Sequence, residues 1–298
     1  MLKTTQTPCL EIAYEENGSP SSFAIILVHG FPDDVRTWEA VVPDLLQAGY
    51  RTLAPYVRGF GPTRFRHPAT PRSGQMAALG CDILEFADSL NLERFVLVGH
   101  DWGADAALIA ACLAPQRVQG LMLLTTDYYS SDPHYPLSWD QAHAYWYQWF
   151  FNIERGRTLL ENDRFGLCRW LWQAWSPGWQ FDDATYAQTA ASFENPDFVA
   201  VAIHSYRYSS GNAVPDPRYA PSETRLAEIT SLDVPTTVLH GAQDEATLPE
   251  ASAGKEAFFT GAYARHVIAG TGHFIQRERP DVVVQAVLQL ARRAQKGL

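Results

Sequence analysis

Val98-Gly99-His100-Asp101-Trp102-Gly103 decides how this chain reads. Phe95–Val98 runs into it, short and wholly apolar, and the alanine-rich Ala104–Leu113 follows. An apolar run of that length suits a strand buried on both faces of a parallel sheet. An alanine-rich stretch after a glycine turn suits a helix. Strand, cramped turn and helix together make an elbow, G-x-Nuc-x-G, that lifts the central side chain into a cleft. That central residue is Asp101, where an esterase would carry Ser. An ordinary turn with a solvated acid is the plain alternative, and the flanking strand and helix argue against it.

Outward from the elbow the same alternation repeats. Ala24–Val28, Arg51–Ala54, Leu121–Thr125, Thr236–His240 and Ala264–Ile268 read as further strands buried on both faces. Gly74–Leu90 places Met76, Leu79, Ile83, Phe86 and Leu90 on one helical face, and Asp281–Ala294 repeats apolar residues at helical spacing. Strand and helix in alternation predict an α/β fold, a mostly parallel sheet with helices on both faces. The alternation stops between Tyr128 and Arg225, a stretch that holds seven of the nine tryptophans. We read residues 1–127 and 226–298 as a core domain and 128–225 as an inserted helical cap. Asp132-Pro133 and Val214–Pro217 are the expected hinges, and the cleft beneath the cap is the expected ligand site.

Composition narrows the partners. The chain has 298 residues, 46% of them apolar and 19% charged, which is ample for a packed core. Asp and Glu outnumber Lys and Arg by 33 to 23, so nucleic acid and anionic membranes are poor partners. A small, neutral or weakly polar molecule fits better. Cys9, Cys81, Cys112 and Cys168 show no zinc spacing and no disulfide framework. No apolar run approaches the ~20 residues of a membrane span, and the first residues lack a signal-peptide core. A cytoplasmic protein is expected; its oligomeric state is left open, a homodimer included.

Two more motifs accompany the elbow. Val28-His29-Gly30-Phe31-Pro32 follows the strand Ala24–Val28, where a loop can supply an N–H to an oxyanion hole. The two donors would be the backbone amides of Phe31 and Trp102. Gly270-Thr271-Gly272-His273-Phe274 follows the strand Ala264–Ile268. The chain order nucleophile, acid, histidine then needs an acid between Asp101 and His273. Asp244, just after Thr236–His240, fits; Asp127 and Glu245 are rivals.

These elements resemble the α/β-hydrolase superfamily, and Asp at the elbow resembles its epoxide hydrolase and haloalkane dehalogenase branches. The resemblance runs from about Leu10 to Leu290 and takes in Arg58-Gly59-Phe60-Gly61 and Trp38. It implies a hydrolase without metal or organic cofactor. It also implies two cap tyrosines that hold an epoxide oxygen. Tyr147-Gln148-Trp149-Phe150-Phe151 and Ser205-Tyr206-Arg207 are similar to the family's tyrosine segments, which assigns Tyr147 and Tyr206. Tyr145, Tyr208 and Trp146 compete for the role. Trp102, Phe31, Trp146 and Trp149 are the expected substrate contacts, and the tryptophan-rich cap hints at an apolar or aromatic substrate.

Asp rather than Ser changes the chemistry. A carboxylate with a pKa of about 3.9 is ionised at neutral pH and needs no base to attack. Attack on an ester would give a reactive anhydride, whereas attack on a saturated carbon gives a stable alkyl ester. His273 is then free to activate water for the second step, with Asp244 orienting it. Epoxide opening to a diol is the expected reaction. A dehalogenase is the alternative, although Phe31 stands where a halide-binding Asn would be, and Trp102 and Asp105 stand where fluoroacetate dehalogenases place Arg. A ligand-binding or non-hydrolytic role is the third reading.

Overall fold

The computed structural model describes residues 2–128 and 137–296. Nine strands form one sheet: β1 (Leu2–Gln6), β2 (Leu10–Asn17), β3 (Ala24–Val28), β4 (Arg51–Pro55), β5 (Arg64–Phe65), β6 (Phe95–His100), β7 (Val118–Leu124), β8 (Thr236–Gly241) and β9 (Tyr263–Ile268). Their order is β1-β2-β4-β3-β6-β7-β8-β9, with β5 paired to β2. From β4 to β9 every pairing is parallel; β2 is antiparallel to its partners.

Two cores sandwich this sheet, because successive side chains of a strand point to opposite faces. Ile26, Val28, Leu97, Leu121 and Leu123 join the core beneath the helices Met76–Ser89 and Trp102–Leu113. Ile25, Leu27, Val96, Val98 and Met122 join the other, against Val283, Val287 and Leu290 of the helix Pro280–Lys296. The α/β architecture expected from the sequence is therefore present.

Three strands were not foreseen. Leu2–Gln6 is exposed and polar at the sheet edge, Leu10–Asn17 is interrupted by acids, and Arg64–Phe65 is two residues long. None offers the apolar run of a doubly buried strand. The opposite correction applies to β9. Its sequence predicts burial on both faces, but it is the last strand of the sheet and no residue of it is fully buried.

Between β7 and β8 the described residues form helices and no strand, including Trp146–Phe151, Glu154–Trp175 and Phe198–Ser209. Asp132-Pro133 lies outside the described residues. Val214–Pro217 is anchored rather than loose: the Asp216 amide donates to Gln75 Oε1 at 2.6 Å, and Val214 O lies 3.1 Å from His204 Nε2. No described helix is long and apolar enough to cross a membrane.

Candidate active site

Parallel pairing brings the loops after five strands to one edge of the sheet. Val28 of β3 is level with Gly99 of β6, His100 with Leu124 of β7, Leu124 with Leu239 of β8, and Gly241 with Ile268 of β9. Phe31, Asp101, Asp127, Asp244 and His273 all sit just beyond those ends. The elbow folds the strand end tightly against the helix that follows: a Cβ on Gly99 would overlap the Gly103 carbonyl. Asp101 itself adopts φ 52°, a conformation unfavourable for most side chains and held by its surroundings.

The Phe31 amide donates to Asp101 Oδ1 at 2.7 Å, and the Trp102 amide also bonds this carboxylate. A Cβ on Gly30 would run into that same carboxylate. His273 Nε2 lies 3.8 Å from Asp101 Oδ2 and has no hydrogen-bond partner. Its Nδ1 lies 3.0 and 3.1 Å from the two oxygens of Asp244. Asp244 Oδ1 is fixed in turn by the amides of Ala246 and Thr247 at 2.8 and 3.0 Å. Of the rival acids, Asp127 instead accepts the Tyr145 hydroxyl at 2.6 Å.

Burial pushes the Asp101 carboxyl up to about 6, against the pull of His273 and of the Trp102 and Phe31 amides. Burial also opposes a charge on His273, but Asp244 and Asp101 outweigh it and lift the imidazole above its ordinary value. Asp244 is likewise desolvated, yet His273 beside it keeps its carboxyl below the usual range. Any reaction in which Asp101 attacks needs its ionised form. Its kcat/KM should hold above pH 6 and fall about tenfold per unit below it, which a pH–rate profile would measure. A flat profile from pH 7 to 4.5 would contradict this.

Above Asp101 lies a cavity of about 730 Å³, lined in part by Trp102, Tyr145, Tyr147, Trp149, Tyr206 and Tyr208. Tyr147 and Tyr206 come from separate helices, with ring centroids 5.4 Å apart. Burial raises both phenols well above their ordinary value, so both stay protonated. The Gln148 side-chain amide donates to the Tyr147 oxygen at 3.3 Å, leaving the phenol proton to be given elsewhere. Tyr206 Oη is buried without a well-formed hydrogen bond, although Tyr147 and Trp102 adjoin it. Of the competitors, Tyr145 is spent on Asp127, and the Tyr208 hydroxyl donates to Glu223 at 3.1 Å.

Two expected substrate contacts are corrected. Trp146 does not line the cavity; it packs edge-on against Trp170 at 5.4 Å. Phe31 contributes its amide but not its ring, which is fully buried and stacked on Trp102 at 5.2 Å. The seven tryptophans between β7 and β8 mostly lie off the cavity: Trp172 and Trp175 are fully buried, Trp139 is 91% exposed, and only Trp149 of the seven lines the cavity.

Sequence reading missed the residues that hold His273. The Trp175 carbonyl, at the end of Glu154–Trp175, accepts the His273 amide at 3.2 Å. The His273 carbonyl accepts from Thr125 Oγ1 at 3.3 Å and lies 3.0 Å from His100 Nε2. A ring nitrogen facing a carbonyl must carry the proton, and burial drives the His100 pKa down to about 3, so this histidine is neutral. Trp172 Nε1 likewise donates to the Pro32 carbonyl at 2.7 Å. None of these partners is near its target in sequence.

A parallel sheet whose strand ends carry a nucleophile elbow, then an acid, then a histidine in that chain order defines an α/β-hydrolase. The chain belongs to that family, whose alpha/beta hydrolase fold matches residues 24–280. It is 31% identical over 170 residues to Epoxide hydrolase 3 of Siraitia grosvenorii, covering 57% of this chain and 47% of that one. To Epoxide hydrolase A of Mycobacterium tuberculosis (strain ATCC 25618 / H37Rv) it is 36% identical over 110 residues, 37% and 34% of the two chains. The chain thus matches less than half the length of either. A crystal structure from Klebsiella pneumoniae subsp. pneumoniae MGH 78578, provisionally assigned as an epoxide hydrolase, is 37% identical. It superposes with a TM-score of 0.91 over 98% of this chain and 97% of that one.

Proposed function

We propose that this protein opens epoxides to diols through a covalent aspartyl ester. The observation that carries the reading is the pairing of Asp101 with two protonated phenols, Tyr147 and Tyr206, across one cavity. The epoxide hydrolase relatives support the same reaction.

Because the Phe31 amide grips Oδ1, Oδ2 is the oxygen free to attack. It bonds to an epoxide carbon, the C–O bond breaks, and the ring oxygen takes a proton from Tyr147 or Tyr206. Esterification removes the Asp101 charge, one of the two carboxylates that hold the proton on His273. The imidazolium therefore becomes easier to deprotonate once the ester exists, and its proton passes to the tyrosinate left by ring opening, leaving His273 neutral. As a base it takes a proton from water, and the hydroxide adds to the carbonyl carbon of the ester. The negative charge falls on Oδ1 against the Phe31 and Trp102 amides, where losing one donor typically costs about 3 kcal/mol. Collapse breaks the bond from the carbonyl carbon to Oδ2; the diol leaves with the former Oδ2 and the proton of the newly added hydroxyl, Asp101 returns as a carboxylate, and His273 keeps the proton it took from water.

One turnover in ¹⁸O-water tests this. The label should enter Asp101 and not the diol, as read by mass spectrometry of both. Label in the diol alone would mean direct attack by water and would discard the ester. Tyr206→Phe should lower kcat/KM about 100-fold. Its melting temperature should hardly move, since the lost hydroxyl makes no well-formed hydrogen bond. A large fall in melting temperature with little kinetic change would assign Tyr206 to packing.

A further inference from the structure

The helix Glu154–Trp175 ends against the two loops that carry Asp244 and His273. The Trp175 carbonyl accepts the Glu245 amide at 3.4 Å as well as the His273 amide. The Trp175 ring centroid lies 4.8 Å from that of Tyr147 and 5.0 Å from that of the His273 imidazole, so it touches a residue from each half of the chemistry. The next residue, Ser176, is fully buried. Its Oγ accepts the Phe274 amide at 3.2 Å, and its hydroxyl proton goes to Glu278 Oε1 at 2.8 Å. Glu278 closes the short helix Ile275–Glu278 and also accepts the Gly272 amide, at 3.1 Å on Oε1 and 3.0 Å on Oε2.

Three consecutive amides are thus held: Gly272 by Glu278, His273 by Trp175 and Phe274 by Ser176. Two of the three acceptors come from the end of the helix Glu154–Trp175, and the third is bonded to it through the Ser176 hydroxyl. Close approach depends on glycine here, because a Cβ on Gly272 would come within 2.6 Å of Ser176 Cα. The arginines beside Glu278 are engaged elsewhere, Arg277 with Asp33 at 3.0 Å and Arg279 with Asp281 at 2.8 Å. Its carboxylate is left to Ser176 and Gly272, and a charged acceptor makes such bonds stronger than a neutral one would. A histidine whose backbone is fixed on both sides keeps its imidazole where Asp244 and water can reach it.

We propose that Ser176 and Glu278 are positioning residues for the ester-hydrolysis half of the reaction, a buried clasp that ties the cap to the His273 loop and holds the imidazole in place to activate water. This rests on the epoxide reading. It gives the cap a part in the second step as well as in the first, where Tyr147 and Tyr206 act.

Single turnover of a styrene-type epoxide with enzyme in excess, quenched and resolved by chromatography, separates epoxide loss from diol appearance. In Ser176→Ala and in Glu278→Ala, epoxide loss should stay within about twofold of the parent, because Asp101 and the phenols are untouched. Diol appearance should slow at least about tenfold, since a displaced base loses its reach to water. The alkylated enzyme should make up the difference, seen as an adduct by intact-protein mass spectrometry. Melting curves select the folded variants, and Glu278→Gln, the mildest change, serves if neither alanine variant folds. Diol appearance unchanged in the folded variants, or epoxide loss slowed as much as diol appearance, would overturn the proposal. If the parent consumes no epoxide, the epoxide reading falls, and proton NMR of the unliganded protein then judges the clasp alone. Loss or displacement of the downfield His273 Nδ1 proton in a folded variant would uphold it; a signal identical to the parent's would end it.

Discussion

Asp101→Asn is expected to lower kcat by at least about 10⁴-fold while leaving the fold intact. An amide is neutral and a poor nucleophile, so no ester can form. The replacement suits the backbone: Asn tolerates φ 52° better than most residues, and its side-chain oxygen can still accept the Phe31 amide. Steady-state kinetics on a styrene-type epoxide, with a melting curve as the folding control, would read both effects. Activity within tenfold of the parent would remove Asp101 from the chemistry.

His273→Gln should separate the two halves of the reaction. Ring opening needs the Asp101 carboxylate and the phenols, none of which this change removes. Ester hydrolysis needs the imidazole as base, so kcat should fall about 10³-fold or more. The enzyme should then accumulate as an adduct heavier by the mass of one substrate, located at Asp101 by peptide mass spectrometry. The Asp244 carboxylate, left without its imidazole, makes some loss of stability expected too. If the variant yields diol in many turnovers, His273 is not the base. If it is inert and never alkylated, His273 acts before the ester, and the proposed order of steps is wrong.

Much of the site was legible because its signals are local. Gly99, Asp101 and Gly103 mark a turn whose cramped geometry excludes larger neighbours, and the strand and helix beside it are contiguous in sequence. Asp244 and His273 could be read from chain order and from the strands that precede them. The tyrosines were reached through resemblance to a family rather than through any pattern that sets them apart from the other phenols. Trp146 went wrong for a related reason. Its neighbours in sequence line the cavity, but a helix turns successive side chains away from one another by about 100°, and a six-residue helix gives too little periodicity to tell the faces apart.

The sequence by itself determined the sheet–helix alternation and the bend that carries a carboxylate, since each depends on residues a few places apart, and the chain order of the candidate nucleophile, acid and histidine, which needs only the strands that precede them. Only the tertiary structure decided which acid faces His273, which phenols share the cavity, and which side chains clamp the histidine backbone. It also decided which acids line the cavity, since Asp105, Asp127, Asp140 and Glu250 come from four separate stretches of chain. The physical reason is range: turn geometry and apolar periodicity act between chain neighbours, whereas desolvation and Coulomb interactions depend on distances that exist only after folding.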